Sequence, residues 1–226
     1  MRLSFVTLFP ELVTPYFEEA ILKRAIEAGR FAIDTVNPRD FTQNKHFKVD
    51  DTVTGGGAGM VMAAQPLFDA LGALKKSSPG VIKRILTPAG KRFNQNDAKR
   101  LAKAEHVALV CGRYEGFDER AIETYADEVL SIGDYVLTGG ELAALVIADA
   151  TVRHIGGVLG NQSSLEEESY ENNSLEAPAF TKPTDFRAQG TPSVLLGGHH
   201  KNIAAFRKEM GVLKTRFFRP DLFRKL

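Results

Sequence analysis

Cysteine is almost absent from this chain: Cys111 is the only one in 226 residues. A lone thiol excludes an internal disulfide and any metal site built from several cysteines. No apolar run is long enough to span a bilayer, which excludes a transmembrane helix and a membrane partner. The opening residues Met1-Arg2-Leu3-Ser4-Phe5-Val6 read directly as a strand, so no signal peptide is expected and the chain is read as cytoplasmic. No fixed-period repeat is present. Excess charge is lacking too. With 29 Lys and Arg against 28 Asp and Glu, the net of +1 by itself announces no nucleic-acid partner. A hydrophobic fraction of 43% and a charged fraction of 25% are those of an ordinary globular protein.

The charge that is there is unevenly placed. Lys201–Leu226 holds eight Lys or Arg and two acidic residues, a local net of +6, with His199 and His200 just before it. Leu165–Glu176 holds five Glu and no base. Such an acidic, Asn/Ser-rich stretch is a poor core former. The chain is therefore read as an α/β domain over 1–160, a flexible acidic linker over 161–177 and a small basic helical domain over 178–226, with Pro178, Pro183 and Pro192 stiffening the far side of the linker.

Apolar strands alternate with helical patterns through the first part. Strands are expected at Leu3–Phe9, Phe31–Val36, Val81–Leu86, Val107–Cys111 and Glu128–Ile132. Helices are expected at Glu11–Ala28 (ended by Gly29), Asp69–Lys75, Asn94–Ala102, Asp118–Ala126 and from Glu141 on. This rhythm predicts a mostly parallel sheet flanked by helices. Ligands of such sheets bind beyond the carboxyl ends of the strands. Three glycine-bearing loops follow strand ends and can converge there: Thr87–Gly90, Gly112–Gly116 and Gly133–Gly140. Their glycines let backbone approach a ligand closely.

The segment 38–60 reads as a long polar loop ending in Thr54-Gly55-Gly56-Gly57-Ala58-Gly59-Met60. It lacks the Gly-Lys-Ser/Thr ending of a phosphate loop, so it carries no NTPase reading. A flexible turn is one account of it. A lid over the pocket, with Lys48, Asp50 and Asp51 at its edges, is the preferred one.

Thr52–Met62, Cys111–Gly116, Ile132–Glu141, Gly157-Val158-Leu159-Gly160 and Leu195–His199, taken in order, resemble the bacterial tRNA (guanine-N1)-methyltransferases of the TrmD family, within the SPOUT superfamily. The resemblance covers essentially the whole chain. It implies a deep trefoil knot in the sheet, which periodicity would never suggest. It also implies an obligate homodimer and S-adenosylmethionine as methyl donor. The acceptor it implies is N1 of the guanine immediately 3′ of the tRNA anticodon, position 37.

That chemistry needs a base for the N1 proton and a cation for the charge growing on O6. The resemblance places the general base on Glu168. The family's pattern is Asp followed by Ser and an aromatic, whereas this chain has Glu168-Ser169-Tyr170, which leaves open which of Glu166, Glu167 and Glu168 acts. Glu176, before Ala177-Pro178, occupies a second linker carboxylate position. The resemblance gives Arg153 the O6 role, although as a bare residue it reads as a cation at a helix C-terminus. For the cofactor it carries over Gly112, Ile132, Gly133, Asp134, Tyr135, Val136 and Leu137, with Gly139, Gly140 and the Pro88 loop beside them. Glu115 is a candidate for the methionine moiety or a metal. Mg2+ is associated with the family, yet no ligand spacing demands it, and no metal site is assigned. Cys111 reads as a buried strand-end residue and His154 as a packing or surface residue.

Lys201, Arg207, Lys208, Lys214, Arg216 and Arg219 are expected to neutralise tRNA phosphates. The linker is expected to fold when the RNA arrives and to deliver Glu168 then. Linker and tail are too polar to cover the pocket within one chain, so a shared site is expected, with the cofactor in one protomer and the partner's Glu168 and tail completing it. The alternatives are a related SPOUT methyltransferase acting on another RNA site and a non-enzymatic RNA-binding module.

Overall fold

The computed structural model describes residues 1–160 and 168–225. The chain divides into two compact units, Met1–Gly160 and Asn161–Leu226. The first opens with β1 (Arg2–Val6) and β2 (Ala32–Val36), followed by an antiparallel hairpin of β3 (Asp50–Thr52) and β4 (Met60–Met62). Then come β5 (Ile82–Arg92), β6 (His106–Cys111) and β7 (Glu128–Ser131). Five of these strands form one sheet in the order β2-β1-β6-β5-β7, and every pairing in it is parallel. The sequence's β-α rhythm is thus realised, because parallel neighbours need crossover connections.

Helices cover both faces. They are α1 (Ala20–Glu27), α2 (Ala64–Ser77), α3 (Gln95–Leu101), α4 (Glu119–Tyr125) and α5 (Glu141–Val152). The central strand β6 shows why both faces must be covered: all six of its residues are buried. Val107, Leu109 and Cys111 pack with Phe5, Phe17 and Ile147 on one side, and Ala108 and Val110 with Leu67, Leu71 and Phe117 on the other. A strand buried on both faces reads as a continuous apolar run rather than an alternation.

The helix expected over Glu11–Ala28 is broken. Pro10 and Pro15 remove helical N–H donors, and the segment folds as two short 3-10 turns, Pro10–Leu12 and Thr14–Phe17, before α1 begins. Gly29 (φ 66) ends α1 as expected, with Arg30 N–H bonded to Ala25 O and Gly29 N–H to Ile26 O. The 38–60 segment is not a featureless loop. It holds a 3-10 turn, Pro38–Phe41, and the β3–β4 hairpin, whose tip carries Gly55, Gly56, Gly57 and Gly59 at positive φ. Finally, β5 does not stop at Leu86. Leu130 of β7 pairs with Leu86 and again with Lys91, so Thr87–Gly90 stands out as a loop within one strand.

A charge network lies where β5, β7 and α3 meet. Asp97 is buried in α3's capping box with Asn94 and takes Lys91 at 2.7 Å and Arg100 at 2.9 Å. Burial alone would raise its carboxyl, but the hydrogen bonds from Lys91 and Arg100 outweigh that and hold it below the ordinary value. Arg84, buried beside Glu128 at 3.0 Å, is lowered by that burial.

The second unit contains a short hairpin, β8 (Asp185–Phe186) with β9 (Gln189–Gly190), then α6 (His200–Phe218) and α7 (Pro220–Phe223). The described part of the acidic segment packs on α6. Leu175 N–H donates to Thr215 Oγ1 at 2.8 Å, and a Cβ at Gly211 would stand 2.8 Å from Leu175 O. The Arg219 guanidinium lies 5.8 Å from the centroid of the Tyr170 ring.

Candidate active site

The Thr87–Gly90 loop within β5 and the loops beyond the carboxyl ends of β6 and β7 meet around one cavity of about 290 Å³. That size suits a small organic ligand. Two of the loops are pinned together at its floor, where Gly140 N–H donates to Gly112 O at 2.8 Å. A Cβ at Gly140 would stand 2.8 Å from Cys111 Cα and Gly112 N, so only glycine lets the backbones close to this distance. Ser131 Oγ braces the turn above by donating to Gly133 O at 3.0 Å and accepting from Gly133 N–H at 3.2 Å.

Ten of the eleven residues expected to bind cofactor line this cavity: Pro88, Gly112, Glu115, Ile132, Gly133, Tyr135, Val136, Leu137, Gly139 and Gly140. Asp134 does not line it; its carboxylate pairs with Arg92. Sequence reading missed Tyr114, Phe117, Glu119 and Ile122 among the lining residues. They sit in or just after the same β6–α4 connection as Gly112, and the strand-then-loop pattern there was the signal available. Glu115 and Glu119 give the wall two carboxylates. Among the described residues, no group of three or more His, Cys, Asp or Glu is placed to hold a metal.

The β3–β4 hairpin abuts the rim. Glu115 N–H donates to Met60 O at 2.8 Å, and Met62 N–H donates to Gly116 O at 2.9 Å. A Cβ at Gly59 would stand 2.6 Å from Glu115 Cγ. Of the edge residues, Asp51 has its carboxyl held low by the Thr52 N–H and by Lys48. Cys111 is fully buried beneath the loops. Burial first, then the nearby Glu141 carboxylate, pushes its thiol well above the ordinary value, so it stays protonated and inert.

Arg153 does not line the cavity. Arg153 is the C-cap of α5, whose N-cap is Gly140 on the cavity floor. Thirteen residues at 1.5 Å each put the two about 20 Å apart, farther than a side chain reaches. Glu168 is half-buried in the second unit, and its carbonyl accepts from Glu171 N–H at 3.2 Å. Tyr170 follows in a left-handed conformation, φ 76. Glu176 is exposed, with its N–H on Ser169 Oγ at 3.3 Å. Glu166 and Glu167 lie outside the described residues. On α6, Lys201, Arg207, Lys208 and Arg216 are exposed and Lys214 is half-buried; Arg219, just past its end, is half-buried and paired with Asp221 at 2.7 Å. Among the described residues, no helix is long and apolar enough to cross a membrane.

A family described as "tRNA (Guanine-1)-methyltransferase TrmD" matches residues 1–225. A tRNA (guanine-N(1)-)-methyltransferase of Campylobacter curvus (strain 525.92) is 54% identical over 226 residues, covering 100% of this chain and 96% of that protein. One from Sulfurovum sp. (strain NBC37-1) is 53% identical over 225 residues, covering 100% and 99%. One from Sulfurimonas denitrificans (strain ATCC 33889 / DSM 1251) is 54% identical over 221 residues, covering 98% and 96%.

Proposed function

This chain belongs to the TrmD family of tRNA (guanine-1)-methyltransferases, and from that premise we propose that it methylates N1 of the guanine immediately 3′ of the tRNA anticodon, taking the methyl from S-adenosylmethionine. The activity as a tRNA guanine-N1 methyltransferase follows from the family and from full-length relatives at about 54% identity. The observation that carries the donor assignment is the cavity formed by the three glycine loops.

In this reading the donor is held by the backbone of Gly112 and Ile132–Gly140, with Ile132 and Leu137 as apolar walls. When bound, it supplies an electrophilic methyl on a sulfonium. The chain's own work is positional and electrostatic. Glu168 accepts the N1 proton, and Arg153 offsets the negative charge at O6. The basic side chains of α6 hold the phosphates. The reading includes the SPOUT knot, which the family match supports, and a cytoplasmic setting, where tRNA is processed.

The site is shared between two copies of the chain. Arg153 stands about 20 Å from the floor of its own cavity, so a second protomer must bring its Arg153, with its Glu168, to the first protomer's donor. The face of α5 fits this role. Apart from Glu141, Asp149 and Thr151 the helix is apolar, yet Leu142 and Val146 are 61% and 49% exposed. Tyr16, itself half-exposed, hydrogen-bonds Asp149 on the same face. Such an unburied apolar stripe marks an interface.

Methyl transfer to transcripts differing only at the base 3′ of the anticodon tests the acceptor. Guanine alone is expected to be labelled, at N1; labelling elsewhere would mean a related enzyme for another RNA site. Mixed dimers of a Glu168→Gln chain and a Gly140→Ala chain test the sharing. About a quarter of wild-type activity is expected, from the one intact composite site in half of the dimers; none would refute it.

A further inference from the structure

Beneath the cavity floor lies an ion pair that the mechanism does not use. Glu141, the first residue of α5, is 3% exposed. A buried carboxylate is costly unless it is paired and hydrogen-bonded. This one has three compensations: the N-terminus of α5, the Thr7 Oγ1–H at 2.7 Å and the Arg113 guanidinium at 2.9 Å. Arg113 in turn lies 4.5 Å over the Phe9 ring, and its Nη1 donates to Thr138 O at 3.4 Å. Its guanidinium fills the space behind Gly139: a Cβ there would land on Nε and stand 2.6 Å from Cζ. Gly139 needs no positive φ, so what excludes a side chain at this position is Arg113 and not backbone conformation.

We infer that Arg113, Glu141 and Thr7 form a positioning relay: the buried carboxylate, seated by the threonine hydroxyl, holds the guanidinium under Gly139 and so fixes the Thr138–Gly140 wall of the cavity. The relay joins the segment after β1 to the loops after β6 and β7. Its effect on donor affinity rests on the proposal that the cavity takes S-adenosylmethionine; its effect on loop shape does not.

Two measurements on the full-length protein separate these claims. The first is amide hydrogen exchange without ligand. Glu141→Gln keeps the size and the Thr7 bond but removes the charge that holds Arg113. Exchange is expected to quicken at least about tenfold in peptides covering 133–140 and to stay unchanged in β1 and β6. Faster exchange spread over the whole first unit, or none, overturns the relay. Thr7→Val, a milder change, should give the same local pattern at about two- to fivefold.

The second is titration with S-adenosylmethionine. Glu141→Gln is expected to raise Kd about tenfold and the donor KM with it, while kcat at saturating donor holds. Gly139→Ala and Arg113→Ala should each weaken binding, and the double variant no more than the weaker-binding single, because the three atoms nearest the added methyl all belong to the side chain that the second change removes. Additive losses overturn the relay. If the wild-type protein fails to bind S-adenosylmethionine, the donor assignment falls, and hydrogen exchange still decides the relay.

Discussion

Adding one methyl group at Gly140 should open the cavity floor. The Cβ of Gly140→Ala would stand 2.8 Å from Cys111 Cα, 2.8 Å from Gly112 N and 3.1 Å from Cys111 C. Carbon atoms at rest lie about 3.5–4.0 Å apart, so the two loops must separate by about 0.7–1.2 Å. The atoms in the way are backbone at the end of the central, fully buried β6, and they cannot swing aside as a long side chain can. Overpacking of this kind costs about 1–3 kcal/mol. Stretching the Gly140 N–H bond to Gly112 O adds about 1 kcal/mol. The sum, about 2–4 kcal/mol, corresponds to a melting-temperature drop of about 4–16 °C for a chain of this size. Donor binding should weaken by more than tenfold, since both displaced loops line the cavity. Differential scanning calorimetry and calorimetric titration with S-adenosylmethionine read the two effects. Gly160→Ala, which meets nothing within 4 Å, is the control and should change neither. If Gly140→Ala melts within a degree of wild type and binds donor equally well, the close apposition of the two loops is wrong.

Glu168→Gln should cut methyl transfer by about 10²–10⁴-fold, the usual worth of a general base, while calorimetric donor affinity stays at the wild-type value. His106 is buried between Ser4 Oγ at 2.7 Å and Ser78 Oγ at 2.8 Å, and burial, then the Arg2 charge, lowers its pKa from the ordinary 6.5. The unfolded chain therefore binds the proton more readily, so this contribution is complete above pH 6.5 and is lost as pH falls from there through the folded value. Urea unfolding between pH 7.5 and 5 should show a loss that His106→Gln lacks; equal slopes would contradict it. Asp97→Ala leaves Lys91 and Arg100 without their buried partner and removes one half of α3's capping box, the bond that the Asn94 N–H donates to Asp97. Lys91 and Arg100 are about half exposed and both keep Glu128, so the loss should be about 1–2 kcal/mol in denaturant unfolding, and no measurable loss would make the network decorative. Replacing Lys208 and Arg216 together with Ala should flatten the salt dependence of tRNA binding by about 0.7–0.9 for each phosphate no longer neutralised. An unchanged slope would take α6 off the RNA.

The parallel sheet was legible because its strands carry uninterrupted apolar runs and its helices their own punctuation, such as Gly29 and the Asn94–Asp97 cap. The long first helix was misread because amphipathic spacing from Glu11 to Ala28 hid the effect of Pro10 and Pro15, which each forbid a helical hydrogen bond. The β3–β4 hairpin escaped notice because strands of three residues are too short for alternation to register. The cavity's loops could be found from glycines following strand ends. The Asp134 side chain could not be located, since its direction depends on Arg92, forty-two residues away in sequence. The Arg113–Glu141 pair was invisible for the same reason: two charges next to glycine loops look solvated until the fold closes over them. The resemblance supplied what periodicity cannot, the family, and the full-length match bears it out.

The protonated, walled-in state of Cys111 has a practical side. A chain whose one native thiol resists maleimides needs no cysteine removed before a probe is attached elsewhere. A reporter thiol placed at an exposed α6 position such as Lys208 or at the β3–β4 tip would be the sole reactive group, so fluorescence could follow RNA docking and rim movement separately.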